Sequence, residues 1–404
     1  MIEKYYNGVI EQVAGGIGNV EHNSILVRYS NDFSIWDLES VNHYKDQTDI
    51  FFTCHEFSYN KIAEAYEPYL GLIRQMFHKY CSGTLEEFME ECDVYKLQRP
   101  VFESYFEKGF CERTEQILID EVEYEQERMR NSIVTMLQKL SEIRPVVIVL
   151  NRFQLASKST MQLSNSLLQV KNKNIGIVLG VNDVQSIPEF AHEEWDAICE
   201  SMDDRNMVYH IGNAGRNMEP DVMDYYSDYE SDDGYRKLNN LVYFLDFDQA
   251  NHHLSKIERR IKFDNFTISE KKHYQLLLLQ IMVSVLQRDI AKALESCEDL
   301  EKLQDQEKEG AFYYNFWMAT SYMYLGKLEE AMIYVQKAKE CGEALGDDFL
   351  VFRAELLKAQ NQMSGWCNIF FCAQDIEISD KLIEKLNAYH YKNHLAHIYI
   401  YAYD

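Results

Sequence analysis

A glycine run, a histidine triplet and a Cys-His-Glu triplet are the places in this chain where residue types and spacing suggest chemistry. Gly15-Gly16-Ile17-Gly18 has the composition of a phosphate-binding turn. Such a turn follows a strand and supplies Gly-Lys-Ser/Thr, because backbone N–H groups must crowd the phosphates, a lysine neutralises them and a hydroxyl holds magnesium. Here the glycines precede the first strand-like run, Ser24 to Arg28, and no such triplet follows, so they read as a turn before a strand. His390, His394 and His397 fall at i, i+4 and i+7, one face of a helix with metal-gripping spacing. No carboxylate or cysteine stands at a suitable offset beside them, and packing is the expected role. His252-His253 lies in a helical segment whose apolar positions also read as packing. Cys54-His55-Glu56 supplies a nucleophile, a base and an orienter. Successive side chains on a strand point to opposite faces, however, which keeps Cys54 from His55. Asp228, Glu230 and Asp232 alternate as in a calcium loop, but Gly234 is seventh where sixth is needed and Asn239 replaces the bidentate glutamate at the twelfth position. The nine cysteines are odd in number and include no C-x-x-C pair. G-x-S-x-G and H-E-x-x-H are missing too. No catalytic residue, metal or cofactor is expected.

Composition narrows the rest. With 66 acidic against 40 basic side chains, a net charge of −26 opposes binding to a phosphate backbone. Nucleic acid is not an expected partner. Only 17 glycines and 5 prolines in 404 residues point to helices, and 46% apolar content is enough to fold most of the chain. The N-terminus is no signal peptide, and the greasiest stretch, Leu276 to Leu286, is too short to span a bilayer and is broken by Gln280 and Ser284. The expectation is a cytoplasmic protein without a membrane partner.

Four runs have strand character: Ser24 to Arg28, Asp49 to Thr53, Pro145 to Leu150 and Asn174 to Val181. The last two are apolar throughout, as in a parallel sheet covered on both faces. This predicts a three-layer α/β domain over residues 1–215, with a helical insertion or lid at about 58–143 that includes helical patterns at Lys61 to Tyr80 and Thr114 to Ile143. Residues 216–270 read as an acidic loop and helical linker, since Glu219 to Tyr235 carries seven acidic and no basic side chains. Residues 271–404 read as helical repeats. Ala319, Tyr322, Gly326, Ala331 and Ala338 sit at the offsets of a tetratricopeptide helix pair, with a weaker copy turning at Gln287-Arg288-Asp289 and a third turn expected at Ser364-Gly365. The sequence stops at HIYIYAYD without a polar capping helix, which suggests that a further segment normally follows.

A parallel α/β domain followed by such repeats resembles the STAND branch of the P-loop NTPases, as in bacterial ATPase-plus-repeat regulators. The resemblance covers most of the chain. It rests on element order, on Glu67-Pro68-Tyr69 after the second strand, on the PVVIVL strand running into Asn151-Arg152-Phe153-Gln154 and Ser157 to Thr160, and on a further strand ending Gly180-Val181-Asn182-Asp183. The implied fold is a P-loop-like parallel α/β domain followed by an all-α solenoid. At the implied phosphate loop, however, Tyr29, Ser30, Asn31, Asp32, Phe33 and Ser34 offer neither glycine nor lysine, with Phe33 and Trp36 expected to fill the phosphate space and Asp32 and Asp37 to repel phosphate. At the implied Walker B position the magnesium-supporting carboxylate is replaced by Asn151. The reading is a non-catalytic pseudo-NTPase regulator or scaffold whose solenoid binds a protein or basic peptide, with Tyr313, Tyr314, Trp317 and Tyr324 as recognition aromatics. The alternatives are an ATP-binding switch, or the sensor portion of a larger regulator carrying a C-terminal cyclase or DNA-binding effector.

Overall fold

Tyr6, Val9, Ile10 and Val13 recur at helical spacing near the N-terminus, and all four are buried against a sheet. They belong to α1 (Ile2–Gly16) of a computed structural model that describes residues 2–19, 23–30, 34–45, 47, 49–58, 61–95, 98–111, 122–170, 172–182, 187–204, 207–211, 231–263 and 267–366. Its chain divides into two compact units after Ala250.

In the first unit α1 is followed by β1 (Asn23–Tyr29), a 3-10 turn at Ile35–Asp37, α2 (Glu39–Lys45) and β2 (Phe51–Glu56). Next come α3 (Tyr69–Tyr80), α4 (Leu85–Glu91), α5 (Arg99–Lys108) and α6 (Val122–Ile143). Then β3 (Val146–Asn151), α7 (Lys158–Gln169), β4 (Ile175–Asn182), α8 (His192–Asp203) and β5 (Val208–Ile211) complete the α/β layers. The strands form one parallel sheet in the order β2-β3-β4-β1-β5. The step from β1 to β2 runs opposite to the three later steps, and right-handed crossovers therefore put their helices on opposite faces. Accordingly α1 and α2 cover Ile25, Val27, Val147, Val149 and Val178. The other parity of the same strands, including Leu26, Ile148 and Leu179, is equally buried.

Both central strands are buried along their whole length, as continuous apolar runs require. Two glycines in β4 let α1 lie close. A Cβ at Gly176 would stand 2.6 Å from Val13 Cγ1, and one at Gly180 would collide with the Tyr6 hydroxyl. The expected insertion at 58–143 is the connection from β2 to β3, and within it α3 packs on α6 and α6 on α7.

The first unit also continues past residue 215. Ser231 caps α9 (Asp232–Tyr243) by accepting the Gly234 N–H, and Asp232 and Asp233 sit in the first turn, where the helix dipole favours negative charge. The end of the acidic run is therefore a helix start and not a loop. Asn239 and Asn240 bind both the carbonyl and N–H of Cys111, and Phe244 packs edge-on against Tyr66, Phe102 and Tyr105.

The second unit takes most of α10 (Phe247–Phe263), then α11 (Glu270–Leu286), α12 (Ile290–Glu301), α13 (Gly310–Tyr324), α14 (Leu328–Leu345) and α15 (Asp348–Trp366). From α11 onward each helix packs on the next, and α11, α13 and α15 also touch in turn. Ala293, Ala319, Ala331 and Ala338 are fully buried, so small side chains lie where helices meet. Ser364 and Gly365 are inside α15. They lie in its last turn, at the end of the described residues, and Gly346, φ 67°, makes the separate turn between α14 and α15.

Candidate functional site

Open parallel sheets bind ligands beyond the carboxyl ends of their strands, where connections diverge in direction. In this sheet that edge is formed by Tyr29, Glu56, Asn151 and Asn182. Tyr29 is 1% exposed, and its hydroxyl donates to Asn151 Oδ1 at 2.7 Å. Tyr6, fully buried, brings a second phenol beside Asn151 and Gly180. Its pKa is raised by burial first, then by Tyr29 and Glu56. A carboxylate at position 151 would be buried among phenols; the amide is a neutral acceptor for one of them.

Ser34 accepts the Trp36 N–H and starts the 3-10 turn after β1. There the Glu56 carboxylate accepts the Ile35 N–H at 2.9 Å and the Ser34 hydroxyl at 3.3 Å. Its other oxygen lies 3.2 Å from Arg152 Nη1, with the Glu56 side chain only 11% exposed. Arg152 follows β3 directly in a left-handed conformation, φ 54°. A carboxylate of the chain itself thus takes the N–H, the hydroxyl and the guanidinium that an incoming anion would need.

Of the two aromatics expected to fill the phosphate space, Phe33 lies outside the described residues. Trp36 is 47% exposed and lies under Lys45 Nζ, 4.5 Å from the ring centre. The buried phenols at this edge of the sheet are Tyr6 and Tyr29. The signal for Tyr6 was present, since Tyr6, Val9, Ile10 and Val13 mark one helix face; Glu56 and Arg152 gave no signal, because their pairing spans two strands. Ser30 is half-buried. Asn31, Asp32, Phe33 and Asp183 lie outside the described residues, as do Asp228, Glu230, His390, His394 and His397.

The Ser/Thr-rich turn is a structural staple. Ser157 caps α7 and donates to the Glu64 carbonyl at 2.9 Å, while Thr160 donates to the Glu67 carbonyl at 3.1 Å. Ser159 Oγ accepts the Tyr66 N–H, and its own N–H goes to Asp246 at 2.8 Å. Beside this staple Thr53, His55, Glu64, Glu67, Gln75 and Tyr105 line a cavity of about 230 Å³. Burial, then Glu67, raises the Glu64 carboxyl to about 7. Burial also raises Glu67 and lowers His55, 3.5 Å from Glu67, to about 4. The Cys54 thiol is raised by burial and packs with the core on the α1 face. A protonated thiol is a poor nucleophile, so the Cys54-His55-Glu56 triplet has no charged form suited to attack. Among the described residues no group of three His, Cys, Asp or Glu is arranged to hold a metal ion.

In the second unit, Tyr313 and Trp317 are 3% and 6% exposed and belong to the core with Phe312 and Phe316, so neither presents a ring to a partner. Their helix buries aromatics for packing. Tyr314 stands edge-on to Tyr334. Tyr324 is 38% exposed under the Arg288 guanidinium, 4.1 Å from the ring centre. No helix among the described residues is long and apolar enough to cross a membrane. No family model matches this chain, and no curated protein or solved structure is detectably similar to it.

Proposed function

We propose that this chain is a non-catalytic regulator or scaffold, built from a pseudo-NTPase domain and a tetratricopeptide-like helical array that binds a protein partner. The observation that carries the first half is the Glu56 carboxylate on the Ile35 N–H and Arg152. It satisfies internally the donors that nucleotide chemistry draws on, and the adjoining space holds two buried phenols.

The repeat half rests on recurrence. Arg288, φ 64°, and Gly326, φ 73°, occupy the same left-handed turn position, 38 residues apart. Each turn is closed by the same hydrogen bond, Asp289 N–H to the Ser284 carbonyl and Lys327 N–H to the Tyr322 carbonyl. Ala293 and Ala331, both fully buried, follow at matching offsets. The spacing is slightly longer than the usual ~34 residues. A net charge of −26 favours a basic partner face.

Thermal unfolding with and without magnesium–ATP tests the reading. A nucleotide present at about a hundred times its Kd would add about 2.7 kcal/mol and raise Tm. No shift is expected at millimolar ATP, and a clear, saturating shift would overturn the pseudo-NTPase assignment.

A further inference from the structure

The cavity of about 230 Å³ beside the Ser/Thr staple of the first unit takes His55 from β2, Gly71 from α3 and Tyr105 from α5, with Glu64 and Glu67 from the segment leading into α3. The staple holds Glu64 and Glu67 by their carbonyls, which leaves both carboxylates to the cavity. Glu64 Oε2 accepts the Asn240 amide at 2.9 Å, and Glu67 Oε2 accepts the Glu64 N–H at 3.1 Å. Of the remaining oxygens, Glu67 Oε1 lies 3.5 Å from His55 Nε2, and Glu64 Oε1 has no hydrogen-bond partner among the described residues. The Tyr105 hydroxyl stands over Gly71, 3.9 Å from where a Cβ would be, and it too has no such partner among the described residues. None of these three oxygens is sealed inside the protein, so a guest can reach them.

The lining selects by charge. Among the described residues no lysine or arginine is ion-paired with either carboxylate: Lys237 is held by Asp233 at 3.0 Å, and Lys61 is exposed. His55, lowered to about 4, adds no positive charge at neutral pH. Carboxylates that share a cavity without a cation hold their protons more tightly, and Glu64 is raised first by burial and then by Glu67. A cation placed between them would relieve both. Among the described residues no group of three His, Cys, Asp or Glu is arranged to hold a metal ion, which favours an organic cation. Ala65, Pro68 and Leu72 add apolar wall for a short chain. The volume falls below the roughly 300–1,000 Å³ of drug-sized sites, so the guest is small.

We infer that this cavity binds a small primary amine as its ammonium ion, with the three N–H donors directed to Glu64 Oε1, Glu67 Oε1 and the Tyr105 hydroxyl. The site is independent of nucleotide binding and of the repeat array's partner.

Butylamine, butan-1-ol and butyrate share a short chain and differ in charge, so they serve as probes. Calorimetry and ligand-detected NMR on the full chain at pH 8 are expected to show saturable binding of butylamine with Kd on the order of a millimolar or below. The alcohol and the acid should bind at least roughly tenfold more weakly. An alkylammonium, like a lysine side chain, titrates near about 10.4, so a change in affinity between pH 6 and 8 belongs to the protein. Glu64 faces Glu67, Tyr105 and Cys111 and, on α9, Lys237 and Asp233. With its carboxyl at about 7, wild-type affinity should rise roughly tenfold from pH 6 to pH 8 as the ionised form becomes the main one. Glu64→Gln should weaken butylamine roughly tenfold at pH 8 and remove most of that pH dependence. Gly71→Leu, on a helix and with only the Tyr105 hydroxyl within 4 Å of the new Cβ, fills the space and abolishes binding. Both variants are checked for a native melting transition. The proposal is overturned if wild type shows no saturable butylamine binding at pH 8, if its affinity is flat between pH 6 and 8, if either folded variant keeps wild-type affinity, or if the alcohol or the acid binds as well as the amine.

Discussion

Asn151 is the residue on which the proposed pseudo-NTPase reading bears most directly. The amide accepts a hydrogen bond from Tyr29 in a fully buried setting, so placing a carboxylate there should harm the protein. Asn151→Asp would bury a charge among phenols or force it to hold a proton, at a cost of roughly 2–4 kcal/mol in urea unfolding; undiminished stability would show that the edge is open to water. Gly180 gives a companion test. Its Cβ would meet the Tyr6 hydroxyl, so Gly180→Ala should cost about 1–3 kcal/mol, and Tyr6→Phe in the same chain should recover part of that loss. At Glu64 the folded value of about 7 lies above the ordinary 4.5. The folded state therefore keeps a proton that the unfolded chain has released, and this stability is present below 4.5 and lost as pH rises through 7. Glu64→Gln should stabilise by roughly 1–3 kcal/mol near pH 8, with the gap closing toward acid. His55, lowered to about 4 from 6.5, acts in the opposite direction, losing its stability as pH falls below 6.5. Such details were not legible in the sequence, because Glu56 with Arg152 and Glu64 with Asn240 meet only once distant segments are brought together.

At the scale of elements the reading was better where burial is uniform. PVVIVL and NIGIVLGV are strands because a run apolar on both parities can only be satisfied between two helical layers. β5 was missed, since four residues with His210 exposed give no such pattern. Lys61 to Tyr80 read as one helix, yet Pro68 lacks an N–H and α3 starts only at Tyr69. The turn at Gly326 was legible because glycine marks a left-handed position. Gly326 has φ 73° and nothing within 4 Å of its missing Cβ. Gly326→Ala should therefore cost about 1 kcal/mol through backbone strain alone, with no change in the core, as read from thermal unfolding of the folded chain. The third turn, expected at Ser364-Gly365 from the spacing after Gly326, falls at the end of α15, where the described residues stop at Trp366.

At the scale of the whole molecule, the chain joins a parallel α/β unit to a helical unit, and the proposed division of labour assigns shape to the first and recognition to the second. The sequence disclosed the layout through a change of texture, but it placed the boundary near residue 215, before α9 and its asparagines, where the first compact unit extends to Ala250. The central claim is that the first unit occupies its own anion position with Glu56. Isothermal titration of the full chain with magnesium–ATP, carried to millimolar concentration, tests it most directly. The account predicts no saturable heat, in wild type or in Arg152→Ala. A saturable isotherm with micromolar Kd that disappears in Arg152→Ala would contradict it, because the guanidinium would then be serving phosphate and not the chain's own carboxylate.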